Sequence, residues 1–340
     1  MRAVRFEGNG QIALREVERP SPGALDLLIR VEACGICGTD RHIVKGEFGA
    51  SPPVTLGHEF SGIVDAVGNA VTRFRVGERV TADPNHGCGL CAPCREGKVN
   101  LCLNLQPLGV RRDGGFADYA LVPEAQAHGL PLSIPPLHGA FCEPLACCIH
   151  GVDLAGLKAG SSAIVLGGGV IGMLVVQLAR LAGASRVVLV TRQREKRALA
   201  ETLGATASVD PGDGDMIEQI TGAEGLLPGG ADAVFECAGV SETVEQMLKL
   251  TKRGGTAVLL GVLPPDARVA IDPLDLLLRE VRLQSSFLNP FTHARAAELI
   301  ASGSVKVEPL ISRTIGLEEA ADAIRRPALP GEIRTLVVPR

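Results

Sequence analysis

The apolar positions change period along the chain. Over the first 150 residues they fall in short runs, β-branched or alternating, cut by Gly, Pro and Asp. Residues 27–32, 62–67 and 79–82 predict strands on that pattern. No long helical period precedes about Glu143. From Gly160 onward, strand-like runs alternate with helical periods. Residues 163–166, 187–190, 233–239 and 256–262 predict strands, and 171–181, 195–203 and 242–251 predict the helices between them. Such alternation predicts a parallel sheet with crossover helices. Beyond Arg282 short elements return, with one helix predicted at 292–302. The organisation expected is an antiparallel β-rich domain over 1–150, an α/β domain over 151–285, and a tail over 286–340 that rejoins the first. No internal repeat interrupts this order.

Composition narrows the function. Among 340 residues, 34 Lys and Arg face 38 Asp and Glu, a net charge of −4. No basic surplus is available to meet a nucleic-acid backbone. Nine Phe, one Tyr and no Trp make aliphatic cores and leave few platforms for base stacking. Residues 163–184 are nearly all apolar, but glycines 167–169, Gln177 and Arg180 fall where lipid would lie, so no membrane span is expected. Ten cysteines stand out. The charged start, MRAVRFEGNGQIAL, has no apolar core of a secretory signal, so a cytoplasmic, reducing setting is expected. Thiols there bind metal, catalyse, or pack as small hydrophobes.

Their spacing divides them. Cys88, Cys91, Cys94 and Cys102 form C-x-x-C-x-x-C-x7-C in a Gly- and Pro-containing loop. Four such thiolates suit a closed tetrahedral Zn²⁺ site, which holds a loop and has no open position for catalysis. An iron–sulfur cluster also takes four Cys, but the spacing differs from the ferredoxin patterns and no Pro follows the last Cys. A nucleic-acid zinc finger lacks its His arm here. Upstream, Cys37 in GICGTDRH and His58-Glu59 in LGHEFSG offer soft, borderline and hard donors that zinc accepts together.

The α/β half carries Gly167-x-Gly169-x-x-Gly172 directly after a predicted strand and at the start of a helix, the dinucleotide-binding context. Gly167 allows the tight turn, Gly169 lets the backbone approach a pyrophosphate, and Gly172 lets the helix pack close. Val170 and Ile171 complete the turn at a helix N-terminus that favours anions. The next strand ends in Val190, where an NAD enzyme presents Asp or Glu. Thr191 takes that position and Arg192 follows, with Arg197 within reach on the next helix. A carboxylate repels a 2′-phosphate and an arginine fork pairs with it, so NADP is preferred over NAD. Cys237, Ala238, Gly261 and Val262 end two later strands and should wall the nicotinamide, because ligands sit at the carboxyl ends of such strands.

With these motifs in this order, the chain resembles the zinc-dependent medium-chain alcohol and polyol dehydrogenases over its whole length, in the sorbitol and threonine dehydrogenase branch. GICGTD, GHEFSG, the four-cysteine loop, VGNAVTRFRVGERV and GGGVIG carry the resemblance. It implies an α/β fold: a GroES-like antiparallel β-barrel catalytic domain beside a Rossmann doubly wound parallel sheet. It implies two Zn²⁺ per chain. Cys37, His58 and Glu143 would hold the catalytic ion, and Glu59 would be a ligand or a neighbour able to swing onto it. Asp40 would orient His58. Thr39 and His42 would relay the alcohol proton by way of the cofactor ribose, beside a Lewis-acidic zinc.

The substrate implied is a polyol, sugar alcohol or other secondary alcohol. Ser286 and Phe287 should face the cofactor, and Phe116 and Tyr119 could line the pocket or simply pack. Leu288 stands where sorbitol dehydrogenases commonly carry Arg, which points away from sorbitol itself. Alternatives are a threonine dehydrogenase-like, NAD-dependent oxidation of an amino alcohol, or a cofactor-binding relative without catalysis. Family members are dimers or tetramers, so a homo-oligomer, as in a homotetramer, is expected, with residues 256–262 as a pairing edge. Cys34, Cys142, Cys147, Cys148 and Cys237 read as small core residues, with a metal neighbour as the alternative for Cys142.

Overall fold

The computed structural model describes residues 1–339 and divides into two compact units. One comprises Met1–Ala146 together with the chain from Leu288 onward, and the other is Cys147–Phe287. Among the described residues no helix is long and apolar enough to cross a membrane.

The first unit is built on two sheets. In the larger, strands run in the order Ile311–Ile315, Arg334–Val337, Asp26–Gly35, Glu59–Val67, Arg79–Ala82 and Ala127–Leu130, with Tyr119–Pro123 also paired to Asp26–Gly35. All these pairings are antiparallel except that of Ile311–Ile315 with Arg334–Val337. Gln11–Glu16, Arg2–Gly8 and Val54–Thr55 form the smaller sheet. The core between them is aliphatic with a few phenylalanines, among them Phe60 and Phe116. Phe116 therefore packs and lines no pocket, while Tyr119 stacks under the Arg19 guanidinium at 4.2 Å. Two registers matter for function. Gly35 pairs with Glu59, and Leu336 pairs with Gly35, so the end of the chain lies beside its first long strand.

One element departs from the sequence expectation. A helix, Gly38–Lys45, precedes Glu143. It spans 8 residues and buries only Asp40 and Ile43, too short a stripe for its period to emerge from the text.

The second unit is a single six-stranded sheet in the order Ala207–Val209, Arg186–Val190, Ser162–Leu166, Ala231–Glu236, Thr251–Leu259 and Arg282–Ser285. Every pairing is parallel. The order reverses beside Ser162–Leu166, which makes that strand's carboxyl end the natural ligand crevice. Near-continuous Val, Ile, Leu and Ala fit a sheet covered on both faces. The expected pairing edge at 256–262 is corrected here. Thr251–Leu259 is hydrogen-bonded on both sides, and the edge on that side of the sheet is Arg282–Ser285. That strand is too short and too polar to stand out by pattern.

The first unit also buries a histidine pair. His293 begins helix His293–Ala301 and is 1% exposed. Its Nε2 lies 3.2 Å from Thr81 Oγ1, and its ring centroid is 4.8 Å from that of His128. Burial, with the nearby His128 charge, pushes its pKa well below the ordinary value. The folded chain thus refuses a proton that the unfolded chain accepts, so this contribution is complete above the ordinary imidazole value and is lost as pH falls below it. The thermal midpoint should fall as pH drops from about 7 to about 5, and His293→Gln should flatten that fall. An unchanged slope in the variant would assign the acid sensitivity elsewhere.

Candidate active site

The site in the first unit starts from one helix end. Cys37 caps helix Gly38–Lys45, and its N–H donates to Asp40 Oδ2 at 2.8 Å. This reciprocal capping box fixes the loop–helix junction. The strand pairing of Gly35 with Glu59 then brings the His58-Glu59 turn alongside. One donor atom each from Cys37, His58 and Glu59 lies within 4.8 Å of the others. Thr39 Oγ1 is 3.7 Å from Cys37 Sγ, so its hydroxyl borders the same point.

The electrostatics fit a cation there. Asp40 is fully buried, and its Oδ1 lies 3.5 Å from His58 Nδ1, too long for a good hydrogen bond. Burial alone would lower the His58 pKa, but the charges of Asp40 and Cys37 override it and hold the imidazole well above its ordinary value. The surroundings therefore stabilise positive charge at His58. Glu59 is 1% exposed, and its Oε2 has no protein partner. An orphaned buried carboxylate oxygen among thiol and imidazole donors is what a bound metal would satisfy.

Glu59 Oε1 meets Arg334 Nη2 at 3.2 Å. Arg334 also donates to the Ile36 carbonyl. Burial would lower its pKa, but Glu59, Cys37, Glu143 and Asp40 together raise it above the ordinary value. Glu143, expected as a metal ligand, is not among the three residues whose donors converge. It is buried in the first turn of helix Cys142–Ala155, close enough to act on Arg334. His42 sits one turn beyond Thr39, with Nδ1 2.5 Å from Glu47 Oε2. The sequence reading missed both Arg334 and Glu47. A lone cation opening an apolar C-terminal strand was the only signal for Arg334.

The four-cysteine loop closes as its spacing predicts. One sulfur each from Cys88, Cys91, Cys94 and Cys102 lies within 4.8 Å of the others. Cys91 begins the short helix Ala92–Arg95. Cys102 Sγ accepts from the N–H groups of Cys88 and Asn104 at 3.2 and 3.3 Å. The N–H groups of Leu90 and Cys91 draw the Cys88 thiol down to about 6, toward the thiolate that zinc needs.

In the second unit the glycine turn has the form its motif requires. Gly167 has φ +114°, and a Cβ there would strike the Cys237–Ala238 peptide at 3.0 Å. A Cβ on Gly172 would lie 1.9 Å from the Gly167 carbonyl, so only glycine allows the helix to pack this close. Around Gly169, the N-cap of helix Val170–Leu181, there is open space, which leaves the N–H groups at Val170 and Ile171 approachable by an anion.

Thr191 turns its hydroxyl toward Gly168. Arg192 is exposed and, among the described residues, enters no ion pair. Arg197 is committed elsewhere: its Nη1 donates at 2.8 Å to the carbonyls of Thr191 and Arg192 and to Asp210 Oδ2. Through Nη1 it braces the turn that carries Arg192.

Glu236 organises the opposite wall. This fully buried acid at the end of strand Ala231–Glu236 accepts from the N–H groups of Ala238 and Gly239 and from Thr243 Oγ1, at 2.7 to 2.8 Å. Its carbonyl accepts from the Gly261 N–H at 3.0 Å. One residue thus fixes the turns bearing Cys237, Ala238, Gly261 and Val262. Ser286 is tied to the Leu259 carbonyl at 2.9 Å, and Phe287 is exposed.

Known proteins agree with this geometry. The profile of the alcohol dehydrogenase GroES-like domain matches residues 23–132, and that of the zinc-binding dehydrogenases matches residues 170–302. The D-altritol 5-dehydrogenase of Agrobacterium fabrum is 34% identical, over 94% of this chain and 94% of its own length. The L-threonine 3-dehydrogenase of Bacillus velezensis is also 34% identical, over 93% of this chain and 92% of its own. A Sinorhizobium meliloti protein described as a zinc-binding dehydrogenase, solved bound to NADP, superposes with a TM-score of 0.98 at 59% identity, covering 99% of both chains. A dinucleotide-type parallel sheet, a converged Cys37–His58–Glu59 donor set and a closed four-cysteine loop, on a chain with these relatives, mean that this protein belongs to the zinc-dependent medium-chain alcohol and polyol dehydrogenase family.

Proposed function

We propose that this chain is a zinc- and NADP-dependent dehydrogenase that interconverts a polyol, sugar alcohol or other secondary alcohol with its ketone. The observation that carries the reading is the convergence of Cys37, His58 and Glu59 beside the Thr39 hydroxyl. A zinc ion held there would supply Lewis acidity, and a bound dinucleotide would supply the hydride acceptor. Cys37, His58 and Glu59 hold the metal, with Glu143 as a nearby acid. Asp40 and Arg334 hold those ligands in place. Thr39 relays the proton, accepting the alcohol's as it releases its own toward His42, which is the final acceptor. Cys88, Cys91, Cys94 and Cys102 hold the second zinc, which stiffens their loop.

NADP over NAD rests on Thr191 and the exposed Arg192 where an acid would otherwise stand, and on the NADP carried by the Sinorhizobium protein. A polyol is favoured over an amino alcohol because the arginine of the site, Arg334, is already committed to Glu59 and Ile36. A substrate carboxylate would need a free cation. A reducing, cytosolic setting suits ten cysteines, five of which lie in metal-suited groups.

Initial rates over a panel of polyols and secondary alcohols, with each dinucleotide, test the reading. NADP⁺ should give the higher kcat/KM. Cys37→Ser should cut kcat on the order of a thousandfold, the loss expected when several kcal/mol of Lewis-acid stabilisation are removed. Arg192→Ala should raise KM for NADP⁺ about tenfold and leave that for NAD⁺ unchanged. A higher kcat/KM with NAD⁺, or turnover surviving in Cys37→Ser, would contradict it.

An oligomer is the further part of the proposal. Strand Arg282–Ser285 leaves one side unpaired, and Leu274, Leu277, Leu278 and Leu283 near it are exposed. Edge strands of this kind pair across a two-fold axis. Light scattering should return at least a dimer, and Leu283→Lys with Leu277→Lys should shift it toward monomer. A monomeric wild type would remove this part.

A further inference from the structure

The charged group nearest to His42 has no role in the mechanism so far. Helix Gly38–Lys45 stops at Gly46, whose φ of +79° turns the chain back on itself. The Glu47 N–H then donates to the His42 carbonyl at 2.8 Å, a left-handed cap of the Schellman kind. The same turn sends the Glu47 side chain back over the ring, with Oε2 2.5 Å from His42 Nδ1. Backbone and side chain thus clasp the same residue. About a quarter of the His42 side chain and a third of the Glu47 side chain are exposed, at 23% and 32%.

The other charges around this helix are engaged elsewhere. Asp40 bonds Cys37, and Arg41 bonds the Arg326 carbonyl with Glu332 beyond it. Lys45 is exposed at the helix end. On helix Leu317–Arg325, which packs against it, Glu318 pairs with Arg2, Glu319 with Arg313, and Asp322 with Arg325. Among the described residues Glu47 is the hydrogen-bonding partner that His42 has.

We propose that Glu47 is a positioning residue for proton transfer, fixing His42 in the tautomer that carries its proton on Nδ1. This rests on the reading of His42 as the proton acceptor. A carboxylate only accepts hydrogen bonds, so a contact this short assigns the ring proton to Nδ1. Nε2 is left with its lone pair. The proton released by the alcohol arrives at Nε2, and the resulting imidazolium faces the Glu47 carboxylate. The same nitrogen then gives the proton to water or buffer. The Nδ1–H···Oε2 contact persists throughout, and no ring rotation is needed between turnovers.

Nitrogen-15 NMR of histidine-labelled, zinc-loaded protein reads the tautomer without requiring turnover. Neutral His42 should carry its proton on Nδ1 in the wild type and in Glu47→Gln, which keeps an acceptor, and should lose that preference in Glu47→Ala. In alcohol oxidation, Glu47→Ala should lower kcat roughly tenfold, a part of what a general base contributes. Its solvent deuterium isotope effect on kcat should rise, with KM for the dinucleotide unchanged. Glu47→Gln should lie between.

An Nε2–H ring in the wild type would overturn the proposal even if Glu47→Ala failed to fold. So would a Glu47→Ala protein with unchanged tautomer, kcat and isotope effect. If no alcohol is oxidised at all, the functional reading fails, and the tautomer still decides whether Glu47 sets His42.

Discussion

The structure of the first unit depends on giving the buried Glu59 carboxylate its partners. Glu59 and Asp40 are almost wholly removed from water, with His58 and Cys37 beside them. A carboxylate taken out of water needs a counter-charge or hydrogen-bond donors. Arg334 is the internal counter-charge, 3.2 Å from Glu59 and itself buried. Breaking a pair of this kind by removing one partner typically costs about 3–5 kcal/mol. A divalent ion would neutralise the remaining donors. That requirement accounts for the chain path: strand Arg334–Val337 must return from the far end of the sequence to pair beside Gly35, because it carries the cation. Stability and metal binding thus share one arrangement, with protein cation on one side of Glu59 and metal position on the other.

The second unit meets an analogous demand by different means. Its crevice must accept an anionic dinucleotide close to backbone, so it uses absent side chains at Gly167 and Gly172 and open space at Gly169. Rigidity comes from Glu236 on one wall and Arg197 on the other, both spanning several backbone groups. Neither has to touch a ligand to shape where one can sit. Both are charged residues whose bonds run to loops, which is how a rigid sheet positions variable ends.

Much of this was legible in the sequence wherever function is local. The four cysteines within fifteen positions, the glycine turn after its strand, and GICGTD with GHEFSG all put their chemistry into short spacings. The parallel sheet could be read from its alternation of periods, and its strand boundaries moved by only a few residues. What escaped depends on partners distant in sequence or on elements with too little pattern. Arg334 acts on a residue 275 positions earlier, Glu236 interrupts an apolar run, and helix Gly38–Lys45 shows no long stripe. Arg197 shows the converse. Its charge suits a phosphate, and its Nη1 also holds Asp210 and two carbonyls, which no helical spacing reveals. Glu143 stood one residue from Cys142 in a metal-suited string, and only the helix Cys142–Ala155 decides which way it points.

The central claim is that one thiolate, one imidazole and carboxylate oxygen define the catalytic metal site. Zinc-edge X-ray absorption on Cys88→Ser protein, in which only the site at Cys37 retains its ion, examines that directly. The account predicts a single zinc–sulfur bond at about 2.3 Å, with nitrogen and oxygen donors at about 2.0–2.2 Å completing the shell. Two or more sulfur donors, as when Cys34 or Cys142 closes the site, or none at all, would contradict it.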